Sequence, residues 1–95
     1  MVIAYALFDV HLPGCRSLKE KRMIIRSLKS RIRGDFEVSA AEVGDQDLIQ
    51  RSRLGVAVAG ADQAPLDALL QHILRFVEEN LDGEILEYRN EFIHV

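Results

Sequence analysis

Two kinds of hydrophobic pattern alternate along this chain in a fixed order, and that order does most to limit its fold. Residues 2–12, VIAYALFDVHL, form an apolar run closed by Pro13-Gly14, as a buried strand does. Ser17-Leu18-Lys19-Glu20 follows, a serine with a glutamate three residues on, whose side chains satisfy orphan backbone donors at a helix start. Leu18, Ile25, Leu28 and Ile32 then recur at helical spacing as far as Gly34, which the pattern places at the helix end. Phe36 to Val43 alternates apolar and polar as a half-buried strand would, and Gly44-Asp45-Gln46-Asp47 marks a turn. Residues 48–53 read as a short helical turn or loop before the apolar strand Leu54–Gly60. Asp62 is a candidate N-cap for a second helix, whose stripe is Leu66, Leu69, Leu70, Ile73 and Val77. Asp82-Gly83 ends it, and Glu84 to Val95 is a final strand of mixed apolar and charged residues.

The order is therefore βαββαβ, the split-βαβ pattern of ferredoxin-like folds. It predicts one α+β domain over residues 1–95, with a four-stranded antiparallel sheet in the order 4-1-3-2 and both helices on one face. The strand chemistry agrees. In this reading the first and third strands carry Asp9 as their only charge, while Glu37, Glu42, Glu84, Glu87, Arg89 and Glu91 lie on the second and fourth. Charged strands belong at sheet edges, where they discourage edge-to-edge association. The sheet face away from the helices should turn polar in a monomer. Instead Ile3, Tyr5 and Leu7 oppose Ala4, Ala6 and Phe8, so both faces of the first strand are apolar. A contiguous apolar sheet face marks an interface, and we expect a homo-oligomer, a dimer first, built on Ile3, Tyr5 and Leu7.

Composition excludes several classes. The single cysteine, Cys15, cannot form an internal disulfide. No basic leader precedes the first strand, and no apolar stretch approaches the roughly 20 residues of a membrane span. The expectation is a cytoplasmic protein with no membrane association. The net charge is -3, which on its face argues against a nucleic-acid partner. The charge is unevenly spread, however. Residues 16–33 hold eight basic residues against Glu20 alone, a net of +7 that leaves -10 for the rest.

On a helical wheel Lys19, Arg22, Arg26, Lys29 and Arg33 fall within about 80° of one another as a ridge flanking the apolar stripe. Lys21 lies nearer the apolar side, where its stem can run over the core. Like charges at these spacings repel, and cations in the first turn oppose the helix dipole. A bound phosphate or other oxyanion relieves both. The candidate anion- or RNA-binding residues are Arg16, Ser17, Lys19, Lys21, Arg22, Arg26, Lys29 and Arg33; the alternative is a solvated basic face.

Other constellations are weaker. The Pro13–Ser17 loop lacks the second glycine and the Gly-Lys-Ser/Thr ending of a P-loop. The third strand has no aromatic on which an RNA base could stack, so contacts to RNA would be to backbone or shape. His11 and Cys15 supply two ligands where zinc takes three or four. The final strand's direction puts His94 far from them, and His72 sits at a stripe boundary. Glu42, Asp45 and Asp47 cluster around a turn and read as solvated acids before general acid-base or Mg²⁺ groups. No catalytic residue, metal or cofactor is expected.

Leu12-Pro13, Ser17-Leu18-Lys19-Glu20-Lys21-Arg22, Phe36-Glu37-Val38-Ser39, Ala41-Glu42-Val43, Asp47-Leu48 and Gln50-Arg51 resemble, in order and register, the YlxP-like family of small bacterial proteins of unknown function. Glu37 and Ile49 stand where that family commonly has Asn and Trp. The resemblance implies a small ferredoxin-like protein without an established activity. Genes of such proteins often lie among those for translation initiation and ribosome maturation factors, which implies RNA or a ribosomal particle as partner. The expected function is thus that of a non-enzymatic accessory protein contacting RNA or a ribonucleoprotein through its first helix. The alternative is a protein-interaction or regulatory module acting through the apolar sheet face.

Overall fold

A computed structural model describes every residue, Met1–Val95. Its elements are β1 (Val2–His11), α1 (Leu18–Phe36), β2 (Ser39–Gly44), β3 (Arg51–Gly60), α2 (Gln63–Asn80) and β4 (Glu84–His94). They form one antiparallel sheet in the order β2-β3-β1-β4 with two helices, the expected ferredoxin-like arrangement.

Period-two burial along β1 shows which face the helices cover. Val2, Ala4, Ala6, Phe8 and Val10 are buried, and the residues between them are only half-buried. Ile25, Leu28 and Ile32 of α1 and Leu66, Leu70, Ile73 and Val77 of α2 complete the core from above. Phe8 stacks on Tyr88 of β4 with ring centroids 5.0 Å apart.

Three element boundaries differ from the sequence reading. Helix α1 runs through Gly34 to Phe36, and its C-cap is Glu37, in the left-handed region at φ 54°. A glycine inside a helix costs only about 1 kcal/mol, and continuing the helix brings the Phe36 ring to 5.6 Å from Phe76 of α2. Phe36 and Glu37 are therefore not strand residues. Strand β3 begins at Arg51, not Leu54, because Arg51 and Arg53 pair with His11 and Asp9 of β1. The third strand thus carries two arginines besides its small apolar residues. At the α2–β4 turn, a Cβ on Gly83 would lie 2.2 Å from the His11 carbonyl oxygen, so this close passage requires glycine.

Candidate functional site

Helix α1 begins as its sequence indicates. Ser17 is extended, at φ -150° and ψ 159°, and its Oγ accepts from the Glu20 amide at 3.1 Å. The Glu20 carboxylate accepts from the Arg16 amide at 2.8 Å. This reciprocal cap gives two backbone donors of the helix start to the protein's own groups. Around this end stand the side chains of Arg16, Lys19 and Arg22, all exposed.

The basic residues of segment 16–33 divide into two sets. Arg16, Lys19, Arg22, Arg26 and Lys29 make no side-chain hydrogen bond or ion pair within the chain. Arg31 and Arg33 are held in place. Arg31 donates to Asn80 Oδ1 at 3.0 Å and lies 4.8 Å from the Phe76 ring centroid. Arg33 donates twice to the Ala40 carbonyl oxygen, at 2.6 and 3.2 Å, tying the helix end to β2. Arg31 thus faces α2 and Arg33 faces β2. The unpaired ridge runs along the α1 flank on the Arg33 side, away from α2.

Lys21 does not belong to that ridge. It is 0% exposed, and its ammonium donates to the carbonyl oxygens of Asp45, Gln46 and Arg51 at 2.8, 3.1 and 3.1 Å. Glu42 Oε2 lies 3.2 Å away, and the same oxygen accepts from the buried Ser52 hydroxyl at 2.6 Å. All of its donors are committed inside, so it cannot reach a phosphate, and its removal corrects the candidate set. Its role is to hold the β2–β3 turn under α1. The turn is fastened again by Gln50, which donates to the Pro13 and Cys15 carbonyl oxygens and accepts from the Leu12 amide at 2.8 Å. The wheel carried part of this result, since it sets Lys21 within about 40° of Ile25, Leu28 and Ile32. The Glu42 partner came from a different strand and had no local signal.

The acid group Glu42, Asp45 and Asp47 does not converge. Glu42 points inward to Lys21, Asp45 offers its backbone carbonyl, and Asp47 is exposed. No group of three or more His, Cys, Asp or Glu side chains is placed to hold a metal. His11 contacts Glu84 at 3.0 Å, His94 contacts Gln63 at 2.6 Å on the far end of the sheet, and Cys15 is buried. Burial pushes the Cys15 thiol above its ordinary pKa, with Glu20 and Asp82 adding to the effect.

On the uncovered sheet face, Ile3, Tyr5 and Leu7 stand half-buried beside Ala59, Ala57 and Gly55 of β3. Tyr5 donates to Glu91 Oε2 at 2.7 Å. Further along, Arg53 donates to both carboxylate oxygens of Asp9 at 2.7 and 3.2 Å, near Glu87 and Arg89. No helix is long and apolar enough to cross a membrane.

Among solved structures, the designed protein Ferredog-Diesel matches at TM-score 0.48 and 15% identity, over 94% of this chain and 83% of that one. A putative antibiotic biosynthesis monooxygenase from Bordetella bronchiseptica matches at TM-score 0.48 and 15% identity, over 100% and 98%. The Uncharacterized protein YlxP of Bacillus subtilis (strain 168) is 31% identical over 77 residues, which span 81% of this chain and 84% of that protein. Residues 3–90 match the family model described as Protein of unknown function (DUF503), and the chain belongs to that family.

Proposed function

We propose that this protein is a cytoplasmic accessory factor that acts by binding, docking RNA or a ribonucleoprotein on the α1 ridge. The observation that carries this reading is a set of five basic side chains left without a partner, Lys19, Arg22, Arg26 and Lys29 on one flank of α1 and Arg16 just before its cap. The other three cations of that segment, Lys21, Arg31 and Arg33, are bound within the protein. The ridge from Lys19 to Lys29 spans about 15 Å of helix. The remainder of the chain is net acidic, which favours contact on this flank. With no aromatic on β3, binding rests on charge and shape, with little preference for sequence.

The test is a salt titration of binding to a single-stranded RNA, a duplex RNA and purified ribosomal particles. Five phosphate contacts to a single strand predict a slope of about -3.5 in log affinity against log salt. A Lys19→Glu, Arg22→Glu, Arg26→Glu triple variant should abolish binding. The reading fails if the wild-type protein binds none of the three at about 50 mM salt, where phosphate contacts are strong. It also fails if the triple variant binds as well as the wild type.

A further inference from the structure

We infer that the uncovered face of the sheet is a self-complementary surface on which two copies of this chain pair about a two-fold axis running along the strands, between β1 and β3. The face is divided lengthwise. On β1 the large side chains Ile3, Tyr5 and Leu7 form a ridge. Beside it, Ala57 and Ala59 of β3 and Ala41 of β2 leave a trough, closed at the Gly55 end by the Val43 side chain. The depression is about 230 Å³, and Tyr5, Leu7 and Val43 stand at its margins.

Register makes this division self-complementary. Strand β1 pairs with β3 residue for residue, Tyr5 with Ala57, Leu7 with Gly55 and Asp9 with Arg53. A two-fold axis along the strands exchanges the β1 and β3 positions of facing sheets. Each ridge residue then sits over the small residue that is its own neighbour's counterpart in the other copy, and the contact is made twice, as an isologous interface requires. Charge follows the same operator. Asp9 of one copy meets Arg53 of the other, so two intramolecular ion pairs become one alternating group of four charges. An axis across the strands would set ridge against ridge.

Size permits the pairing. Strands of ten, six, ten and eleven residues, about 4.8 Å apart at about 3.3 Å per residue, present just under about 600 Å² per copy. The β4 edge of this face is formed by Glu87, Arg89 and Glu91. Two such faces bury about 1,200 Å², the lower end of specific interfaces. The inference is independent of any RNA role, since it places α1 on the outside of the pair and uses no ridge residue of that helix.

Sedimentation equilibrium of the wild type, of Tyr5→Lys, of Ala57→Glu and of their equimolar mixture tests it, with circular dichroism confirming that each variant is folded. At about 100 µM, suited to a modest interface, the wild type should run at twice the chain mass and each single variant at the chain mass. The mixture should return to the dimer mass, because the new lysine on one ridge meets the new glutamate in the other trough. Leu7→Lys replaces Tyr5→Lys if the latter is not folded. A monomeric wild type, or a dimer that survives both single substitutions, overturns the interface. A mixture that stays monomeric overturns the ridge-into-trough register.

Discussion

The Lys21 ammonium and the Glu42 carboxylate meet 3.2 Å apart beneath α1, with the lysine side chain wholly buried and that of glutamate 14% exposed. Three carbonyl oxygens surround the same ammonium. Removing one member leaves the other buried and uncompensated, which typically costs about 3–5 kcal/mol. Lys21→Met should therefore lower the urea midpoint strongly. Lys21→Met combined with Glu42→Leu should recover part of the loss, although three carbonyls lose the ammonium and the Ser52 hydroxyl loses its acceptor. Equal midpoints for wild type and single variant would remove the pair from any role in stability.

The ridge residues should behave in the opposite way. Arg22→Gln and Arg26→Gln break no contact, and surface changes of this kind stay within about 0.5 kcal/mol. Each should instead reduce the salt slope of RNA binding by about 0.7 on a single strand. Denaturation and binding titrations on the same samples separate the two behaviours.

Ser17 caps the anion-binding end expected of α1, its Oγ accepting from the Glu20 amide. Ser17→Ala should cost about 1 kcal/mol of stability through the lost cap. The salt slope should not change, because no phosphate contact is removed.

Arg53 holds the Asp9 carboxyl below the usual carboxylate range, chiefly through its hydrogen bond and also through its charge. The folded state therefore binds this proton less readily than the unfolded chain. The stabilisation is complete above the unfolded value of about 3.9 and is lost as pH falls below it through the lower folded value. Urea midpoints of wild type and Asp9→Asn should differ at pH 6 and converge on acidification below about pH 4.

Both tyrosines should ionise above the ordinary pKa of 10.0. The hydrogen bond to Glu91 raises Tyr5, and burial raises Tyr88. A spectrophotometric titration should show no step at 10.0, and Glu91→Leu should return one tyrosine toward it.

Much of this architecture was readable along the chain because it rests on local periodicity. The alternation of Val2 to Val10 and the Ser17–Glu20 cap each announce themselves within a few residues. What escaped depends on partners distant in sequence. Phe36 is helical because Phe76 is there to pack on, 40 positions later. Arg51 and Arg53 are strand residues because His11 and Asp9 lie across from them. The basic run looked uniform, and its division into bound and unbound cations was set by Asn80, Ala40 and the β2–β3 turn.

The concentration of positive charge in residues 16–33 bears on kinetics as well as affinity. A chain of net charge -3 whose residues 16–33 carry +7 against -10 for the rest is an electric dipole. Far from a polyanion it feels weak repulsion; nearer, the field gradient rotates it so that α1 leads. Such orientation before contact acts on the rate of encounter and weakens as the Debye length shrinks. Salt should therefore slow the arrival of this protein at a polyanion as well as loosen its grip.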